Sequence, residues 1–243
     1  MKKIVEVLAD REALIERSLA VVLSKIQAAI AGRGICTIAL AGGSTPKPVY
    51  EAIAACDLPW DQIHIFWGDE RYVPPDNPDS NQRMARQAWL DKVKIPAANI
   101  HPMPTSGGAP AVDALAHASE LQEFFKVSAD EFPAFDIILL GIGDDAHTAS
   151  LFPGTEALQV RDRLVTVGNK DGQPRITFTV PLINHARSVI FIVAGASKKP
   201  ALAQIFAAAG DAIAYPARLI QPNGEIWWLL DATAGEDLQA QTV

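Results

Sequence analysis

The chain has 243 residues, of which 49% are hydrophobic and 20% charged, enough to bury the core of one large α/β domain. Its formal net charge of −7 disfavours a surface for nucleic acid or anionic membranes, so an anionic ligand must meet locally placed cations. The two cysteines have neither CxxC nor framework spacing, and we expect a cytoplasmic protein with no signal peptide, membrane span or structural disulfide.

The predicted elements are mostly short apolar runs, typical of buried strands, and stretches of three- and four-residue apolar spacing, typical of helices. In chain order they are a strand at 4–8, a helix from Asp10 to Gly34, a strand at 35–41, a helix at 46–55, a strand at 63–67, helices at 81–90 and 111–126, strands at 137–140, 164–167, 176–180 and 188–194, a helix to 209 and a strand at 226–230. Asp10, Thr45 and Ser80 are the predicted helix N-caps. Residues 69–75 are too rich in proline and aspartate to be regular, and the alternation at 176–180 indicates a half-exposed strand.

Continuously apolar strands separated by helices indicate a mostly parallel, Rossmann-like α/β sheet with helices on both faces. Residues 1–231 are predicted to form a single domain, and the polar tail at 232–243 is expected to fray. In such sheets, ligands bind outside the carboxyl ends of the strands. Four predicted strands end in unusual loops, at 42–45, 68–71, 141–147 and 195–198. Neighbouring strands lie only about 4.8 Å apart, so these loops are predicted to share one crevice.

Asp145 and His147 give the third of these loops its chemistry. On extended backbone, side chains two residues apart point to one side, where a carboxylate can hold an imidazole in one tautomer and make it a general base. For so short a pattern alone, a solvated turn is the commoner interpretation. No zinc spacing, HExxH or GxSxG is present, so neither a metal nor a nucleophilic serine is predicted.

An anion-binding role is predicted for the other loops. The Gly42-Gly43-Ser44-Thr45 segment offers backbone N–H groups and two hydroxyls at a helix N-terminus, although its spacing matches neither a Walker loop nor a dinucleotide fingerprint. A glycine turn that serves only tight packing is the alternative. Lys198 places a cation at a helix start, which a shared anion would explain. Arg71 and Arg175 are further candidate cations, with a surface ion pair or a solvated charge as the alternative.

Together these loops resemble the 6-phosphogluconolactonases over nearly the whole chain. The matching segments are LAGGSTP at 40–46, WGDERYVP at 67–74 with SN at 80–81, GIGDDAHTASLFP at 141–153 and GASK at 195–198. Four ordered motifs are much more specific than any one of them. The family shares its fold with glucosamine-6-phosphate deaminases and ribose-5-phosphate isomerases. Arg71 and the Leu151-Phe152-Pro153 ending favour the lactonases over the deaminases. Ala146 stands where the family usually has glycine, and would strain the loop if its φ were positive.

The resemblance implies hydrolysis of 6-phospho-D-glucono-1,5-lactone to 6-phosphogluconate in the oxidative pentose phosphate pathway, with no cofactor and no metal. The implied catalytic residues are His147, as the base toward water, and Asp145. The implied substrate-binding residues are Gly42, Gly43, Ser44, Thr45, Asp69, Glu70, Arg71, Asn81, Gly143, Arg175 and Lys198. Backbone N–H groups near Gly43 or Gly143 are the candidate oxyanion donors. We expect a monomer or weak dimer. Two alternatives stay open: a deaminase- or isomerase-type enzyme that enlists Asp69 or Glu70, and a non-catalytic sugar-phosphate sensor.

Overall fold

The computed structural model describes residues 2–241, and their side chains as far as Leu238. The strands are β1 Lys2–Leu8, β2 Cys36–Leu40, β3 Ile63–Trp67, β4 Asp69–Arg71, β5 Ile137–Leu140, β6 Val165–Lys170, β7 Gln173–Phe178, β8 Ser188–Val193 and β9 Glu225–Asp231. The helices are α1 Arg11–Arg33, α2 Lys47–Ala54, α3 Asn81–Ala88, α4 Pro110–Phe125, α5 Val180–Asn184, α6 Lys199–Phe206 and α7 Ala232–Gly235. Among the described residues, no helix is long and apolar enough to cross a membrane.

A six-stranded parallel sheet, in the order β1-β9-β8-β5-β2-β3, forms the centre of the protein. Its inner strands, such as β2 and β8, are buried at every position. Alternate side chains enter two hydrophobic clusters: Ile38 and Ile190 face α1, α2 and α3, whereas Ala39 and Phe191 face α4, α6 and α7. Strands covered on both faces need apolar residues throughout. The predicted Rossmann-like sheet with helices on both faces is confirmed.

A second, three-stranded antiparallel sheet has the order β4-β7-β6. Its strands β6 and β7 overlap the strands predicted at 164–167 and 176–180, but β4 and the separate sheet were not predicted. Its strand β4 lies within residues 69–75, which were predicted to be irregular, and pairs Arg71 with Arg175 of β7. The prediction is wrong there because a three-residue acidic strand carries too little apolar pattern to be recognised. Pairing with β7 gives this segment its regular backbone.

The strand predicted at 176–180 ends at Phe178 and is not half-exposed. Ile176 and Phe178 are fully buried, and Val180 begins α5. Alternation indicates a solvent face only where nothing covers the strand, and here α4 packs against both β6 and β7. Helix α4 therefore fixes the small sheet to the body of the protein.

Three histidines and Glu120 fasten α4 to the edge strand β3. His64 of β3 lies 3.2 Å (Nδ1 to Nε2) from His101, whose Nδ1 lies 3.1 Å from the Glu120 carboxylate. The same carboxylate is 3.0 Å from Nδ1 of the fully buried His117. Burial alone would raise the pKa of Glu120, but the hydrogen bonds from the two imidazoles lower it to about 2. The charged form of Glu120 therefore stabilises this part of the fold.

Replacing Glu120 with glutamine is expected to lower the free energy of unfolding near neutral pH. Because the pKa of Glu120 lies below its usual value of 4.5 in the folded state, its contribution is present above that value and is lost as pH falls toward about 2. In urea unfolding, the difference between wild type and Glu120→Gln should therefore shrink as pH falls through the acid range. Glu123→Gln, at an exposed position of the same helix, should follow the wild type. A difference that stays constant with pH would contradict this assignment.

Two of the three predicted helix caps are confirmed. Asp10 and Ser80 each accept a hydrogen bond from the backbone N–H three residues further on, as N-cap side chains do. Thr45 is not a cap, because α2 is preceded by Pro46, which has helical backbone and makes no side-chain cap bond. The Thr45 side chain instead lines the cleft described below.

The described part of the predicted tail, residues 232–241, is helical, and residues 242–243 lie outside the described residues. The Asp231 carboxylate accepts the N–H of Ala234 and so caps α7. Ala234 and Leu238 are 2% and 5% exposed and belong to the core cluster that contains Phe191. Two buried side chains among polar neighbours are too sparse to form a recognisable apolar pattern.

Candidate active site

The loops after four adjacent strands, β8, β5, β2 and β3, meet in one cleft at the carboxyl edge of the main sheet. The predicted convergence of these loops is confirmed, and the cleft has a volume of about 290 Å³. The predicted site residues that line it are Gly42, Gly43, Ser44, Thr45, Asp69, Arg71, Asn81, Gly143, His147, Arg175 and Lys198. Asp145 and Glu70 are not among the lining residues.

His147 and Asp145 form a hydrogen-bonded pair at the wall of the cleft. Nδ1 of His147 lies 2.5 Å from a carboxylate oxygen of Asp145, which also accepts the His147 backbone N–H. Burial would raise the pKa of Asp145, but these hydrogen bonds lower it. An ionised carboxylate can only accept, so in the neutral imidazole Nδ1 carries the proton and Nε2 has the lone pair. The pair is therefore arranged to take a proton at Nε2.

Ala146, between these two residues, has left-handed backbone with a φ of 62°. The positive φ that would strain the loop is therefore present. An alanine with this backbone conformation destabilises the folded state by about 1–2 kcal/mol. The Ala146 methyl group is fully buried, which offsets about 0.8 kcal/mol of that cost. Its N–H and C=O are hydrogen-bonded to Gly143 and Ala217. These contacts hold the loop in shape around the Asp145–His147 pair.

Ala146→Gly is expected to leave the free energy of unfolding within about 1 kcal/mol of the wild-type value, because the relief of strain is offset by a lost methyl group and a more flexible unfolded chain. Ala146→Val should lower it by about 2 kcal/mol or more, since a β-branched residue fits neither left-handed backbone nor the filled space. Urea unfolding measures both values. A large loss in Ala146→Gly would show that packing outweighs backbone strain here.

Tyr50 of α2 holds the glycine loop that follows β2. Its buried hydroxyl donates to the carbonyl of Ala41 and accepts the Ala41 N–H. Gly42 is required by close approach, since a Cβ there would lie 1.9 Å from Oδ1 of Asn81. Gly43 has a φ of 96°, which glycine adopts without strain. The loop thus presents its backbone to the cleft, as a seat for an anion requires.

Arg71 and Arg175 occupy directly opposed positions on β4 and β7, and both line the cleft. Like charges at such positions destabilise a sheet. In the described part of the chain, the Nε atom of each guanidinium is buried without a hydrogen-bond partner. Burial is the main cause of a lowered pKa for Arg175, and neighbouring Arg71 adds to it. Arg71 also donates an N–H of its Nη1 to the backbone carbonyl of Asp79. Two partly desolvated guanidinium groups that keep unpaired donors fit an anion with several oxygens, such as a phosphate.

Glu70 does not line the cleft, and its hydrogen bonds give no support to the predicted contact with substrate. The residue is 3% exposed. Its carboxylate accepts the backbone N–H groups of Arg71, Asn81 and Gln82 and the hydroxyl of Ser80. Burial raises the pKa of Glu70, against the lowering effect of the backbone hydrogen bonds. Glu70 instead holds the start of α3 against β4.

Asp69 lines the cleft, but protein groups hold its polar atoms. One carboxylate oxygen lies 2.6 Å from Oγ of the fully buried Ser150. Its backbone carbonyl accepts the side-chain amide of Asn81 at 3.0 Å. Asp69 therefore ties the loop after β5 to the start of α3 and fixes the Asn81 side chain at the cleft.

Gly143 makes room for the imidazole. Its own N–H donates to the carbonyl of His147 at 2.9 Å, so an oxyanion donor near this position would have to be a neighbouring N–H. A Cβ at this position would lie 2.1 Å from Nδ1 of His147. Of the two predicted donors, the Gly43 N–H is the one without an acceptor in residues 2–241.

Lys198 lines the cleft with its ammonium group paired to Asp144, a residue that the sequence analysis did not single out. Nζ of Lys198 lies 2.7 Å from the Asp144 carboxylate, and Oγ of Ser197 lies 3.1 Å from it. The pKa of Asp144 is lowered chiefly by its hydrogen bond with Lys198. Because the Asp144 side chain is 69% exposed, the pair contributes little stability. An anion in the cleft can therefore displace Asp144 at little cost.

A parallel sheet with a histidine–aspartate pair and opposed guanidinium groups at its carboxyl edge defines a class of protein: an α/β enzyme for a small anionic substrate. Residues 9–228 match the family described as glucosamine-6-phosphate isomerases/6-phosphogluconolactonase. The match covers most of the chain, and the protein belongs to this family.

Curated relatives and solved structures agree with this assignment. The 6-phosphogluconolactonase of Nostoc sp. (strain PCC 7120) is 67% identical over 98% of this chain and 99% of its own. That of Synechocystis sp. (strain PCC 6803) is 65% identical over 97% and 98%. The structure of 6-phosphogluconolactonase from Trypanosoma brucei is 32% identical, with a TM-score of 0.84 over 98% of this chain and 99% of its own. The resemblance, the fold and the class of enzyme predicted from the sequence are confirmed.

Proposed function

We propose that the protein hydrolyses 6-phospho-D-glucono-1,5-lactone to 6-phosphogluconate. The observation that carries this proposal is a single cleft lined both by a base, His147 with Asp145 behind it, and by two guanidinium groups, Arg71 and Arg175, that form no ion pair with a carboxylate of the described residues. A lactone with a distal phosphate needs both. The names of the relatives that are 67% and 65% identical support this substrate.

Nε2 of His147 takes a proton from a water molecule as the water oxygen bonds to the lactone carbonyl carbon. Asp145 stabilises the imidazolium that forms, and the Gly43 N–H donates to the oxyanion of the tetrahedral intermediate. The intermediate collapses by breaking the bond between the carbonyl carbon and the ring oxygen. That oxygen receives the proton from His147, which restores the base.

The phosphate is held by local cations, because the overall charge of −7 gives it no attraction from afar. Arg71 and Arg175 line the cleft and bind the phosphate oxygens through their guanidinium N–H groups. Lys198 leaves Asp144 to join them, and the Ser44 and Thr45 side chains line the same cleft. The bound phosphate aims the lactone carbonyl at His147.

Both alternatives are less well supported by the site. A deaminase- or isomerase-type reaction needs a base beside C2 of the sugar, but Glu70 is occupied by four hydrogen bonds, and one carboxylate oxygen of Asp69 is bonded to Ser150. A sensor would not need the hydrogen-bonded His147–Asp145 pair.

The test is the rate of 6-phosphogluconolactone opening, with the lactone generated in place and the spontaneous rate subtracted. We expect a rate far above background and no release of ammonia from glucosamine 6-phosphate. A lactone rate equal to background would overturn the proposal in favour of a sensor if 6-phosphogluconate still bound. Release of ammonia would favour the deaminase.

A further inference from the structure

The ring of Phe152 lies between the candidate base and one of the candidate phosphate ligands. Its centroid is 4.5 Å from that of the His147 imidazole. The Cζ atom of Arg175 lies 5.4 Å from the same centroid, and Nζ of Lys170 lies 5.9 Å from it. Phe152 is thus the aromatic contact that His147 and Arg175 share.

Arg175 depends on this contact more than most arginines would. No carboxylate in the described part of the chain lies within ion-pair distance of its guanidinium, and its Nε is unpartnered. Arg71, at the opposed position of the sheet, repels it, whereas the negative charge of Asp69 attracts it from beyond ion-pair distance. A cation is attracted to the face of an aromatic ring, and the attraction grows as the pair is withdrawn from water.

Phe152 is itself well placed to act as a fixed support. It is only 5% exposed, and the neighbouring Leu151 is fully buried in the core. The Phe152 carbonyl accepts the hydroxyl of Thr155 at 2.8 Å. The hydrogen bond to its carbonyl and the buried neighbouring side chain fix the backbone of Phe152. The ring can therefore hold the two groups that contact it in place.

We propose that Phe152 is a positioning residue that sets the separation between the His147 imidazole and the Arg175 guanidinium. The inference rests on the proposed lactonase function, and deepens it. The carbonyl carbon and the phosphate belong to one small substrate and are joined through the ring oxygen, C5, C6 and O6, which limits how far apart they can lie. Base and clamp must therefore be held at a distance that this substrate can span. The ring packs against the imidazole and attracts the guanidinium, and thereby fixes the distance between these two groups.

Two measurements on Phe152→Leu test the contact of the ring with Arg175 and its contact with His147 separately. Binding of 6-phosphogluconate, measured by calorimetry, reports on Arg175 without any chemistry. Turnover at saturating lactone reports on His147. Loss of the ring is expected to weaken product binding about fivefold to tenfold, as a partly buried cation–π contact would, and to lower turnover by about tenfold through a displaced imidazole.

Three further variants keep the test decisive. Phe152→Tyr retains the ring and should restore both values toward wild type. Phe206→Leu is a matched control, because that ring also meets a cation, Lys3 at 4.2 Å, and an aromatic partner, Trp228, but does not line the cleft. If Phe152→Leu does not fold, Phe152→Met fills a similar volume without a ring.

The inference is overturned if the ringless variant keeps wild-type product binding and turnover, or if it differs from them no more than Phe206→Leu does. It is also overturned if product binding falls while turnover is unchanged, or the reverse, since the ring would then serve one group alone. Failure of the lactonase function is distinguishable from all of these outcomes, because it would appear as an inactive wild type.

Discussion

Replacing His147 with alanine is expected to lower turnover of the lactone by about a hundredfold or more, while 6-phosphogluconate still binds. The variant loses the imidazole that Asp145 holds by Nδ1, and with it the base that activates water. Arg71 and Arg175 are untouched, so the product keeps its phosphate contacts. Turnover is measured as lactone opening above the spontaneous rate, and product binding by calorimetric titration.

His185 provides a control for the loss of an imidazole as such. It hydrogen-bonds to the carbonyl of Pro181 and stacks on Phe132, and it does not line the cleft. His185→Ala should therefore turn over lactone at close to the wild-type rate. If His147→Ala kept its turnover, the base would have to be another group. If it lost product binding as completely as turnover, His147 would be a binding residue and not the base.

The main sheet was predictable because strands covered on both faces are apolar at every position. The run Ile137–Leu140 shows this pattern, and each glycine that follows such a run marks the carboxyl edge where a ligand binds. The order of the strands was not predictable from these runs. The topology nevertheless places β8, β5, β2 and β3 side by side, so the expected crevice formed.

The small sheet was not predictable, because β4 has only three residues and its partner β7 lies far along the chain. The role of Glu70 depends on this pairing. A buried carboxylate that accepts the first N–H groups of a distant helix looks, in the sequence, like any acidic residue in a polar loop. The local signal beside it, Ser80 as an N-cap, was recognised because a cap and its helix are adjacent in sequence.

The candidate site also combines contacts that are local in sequence with contacts that depend on the fold. His147 and Asp145 are two residues apart, and their pairing was predicted for an extended backbone. The hydrogen bond forms, but across the left-handed backbone of Ala146. The opposition of Arg71 and Arg175 depends on the register of β4 against β7, so it needed the fold. Phe152 appeared in the sequence only as part of a motif, since its contact with Arg175 spans two different elements.

Gly143→Ala is expected to lower turnover by about a hundredfold with little change in stability. A Cβ at this position would lie 2.1 Å from Nδ1 of His147 and 2.5 Å from a carboxylate oxygen of Asp145. Both are side-chain atoms that can move aside, and the φ of Gly143 is not positive, so the fold accommodates alanine. The imidazole must shift to make room, and a displacement of about 1 Å in a catalytic group can cost about a hundredfold.

Gly141, two residues earlier in the same loop, is the matched control for this prediction. A Cβ at Gly141 would meet no atom within 4 Å, and its φ is not positive either. Gly141→Ala should therefore keep both turnover and the midpoint of urea unfolding. If Gly143→Ala turned over lactone as fast as Gly141→Ala, the position of the His147–Asp145 pair would not matter to the reaction, and the pair could not be its base. A matched loss in both variants would instead point to the mobility of the loop, since only one of the two alanines touches the imidazole.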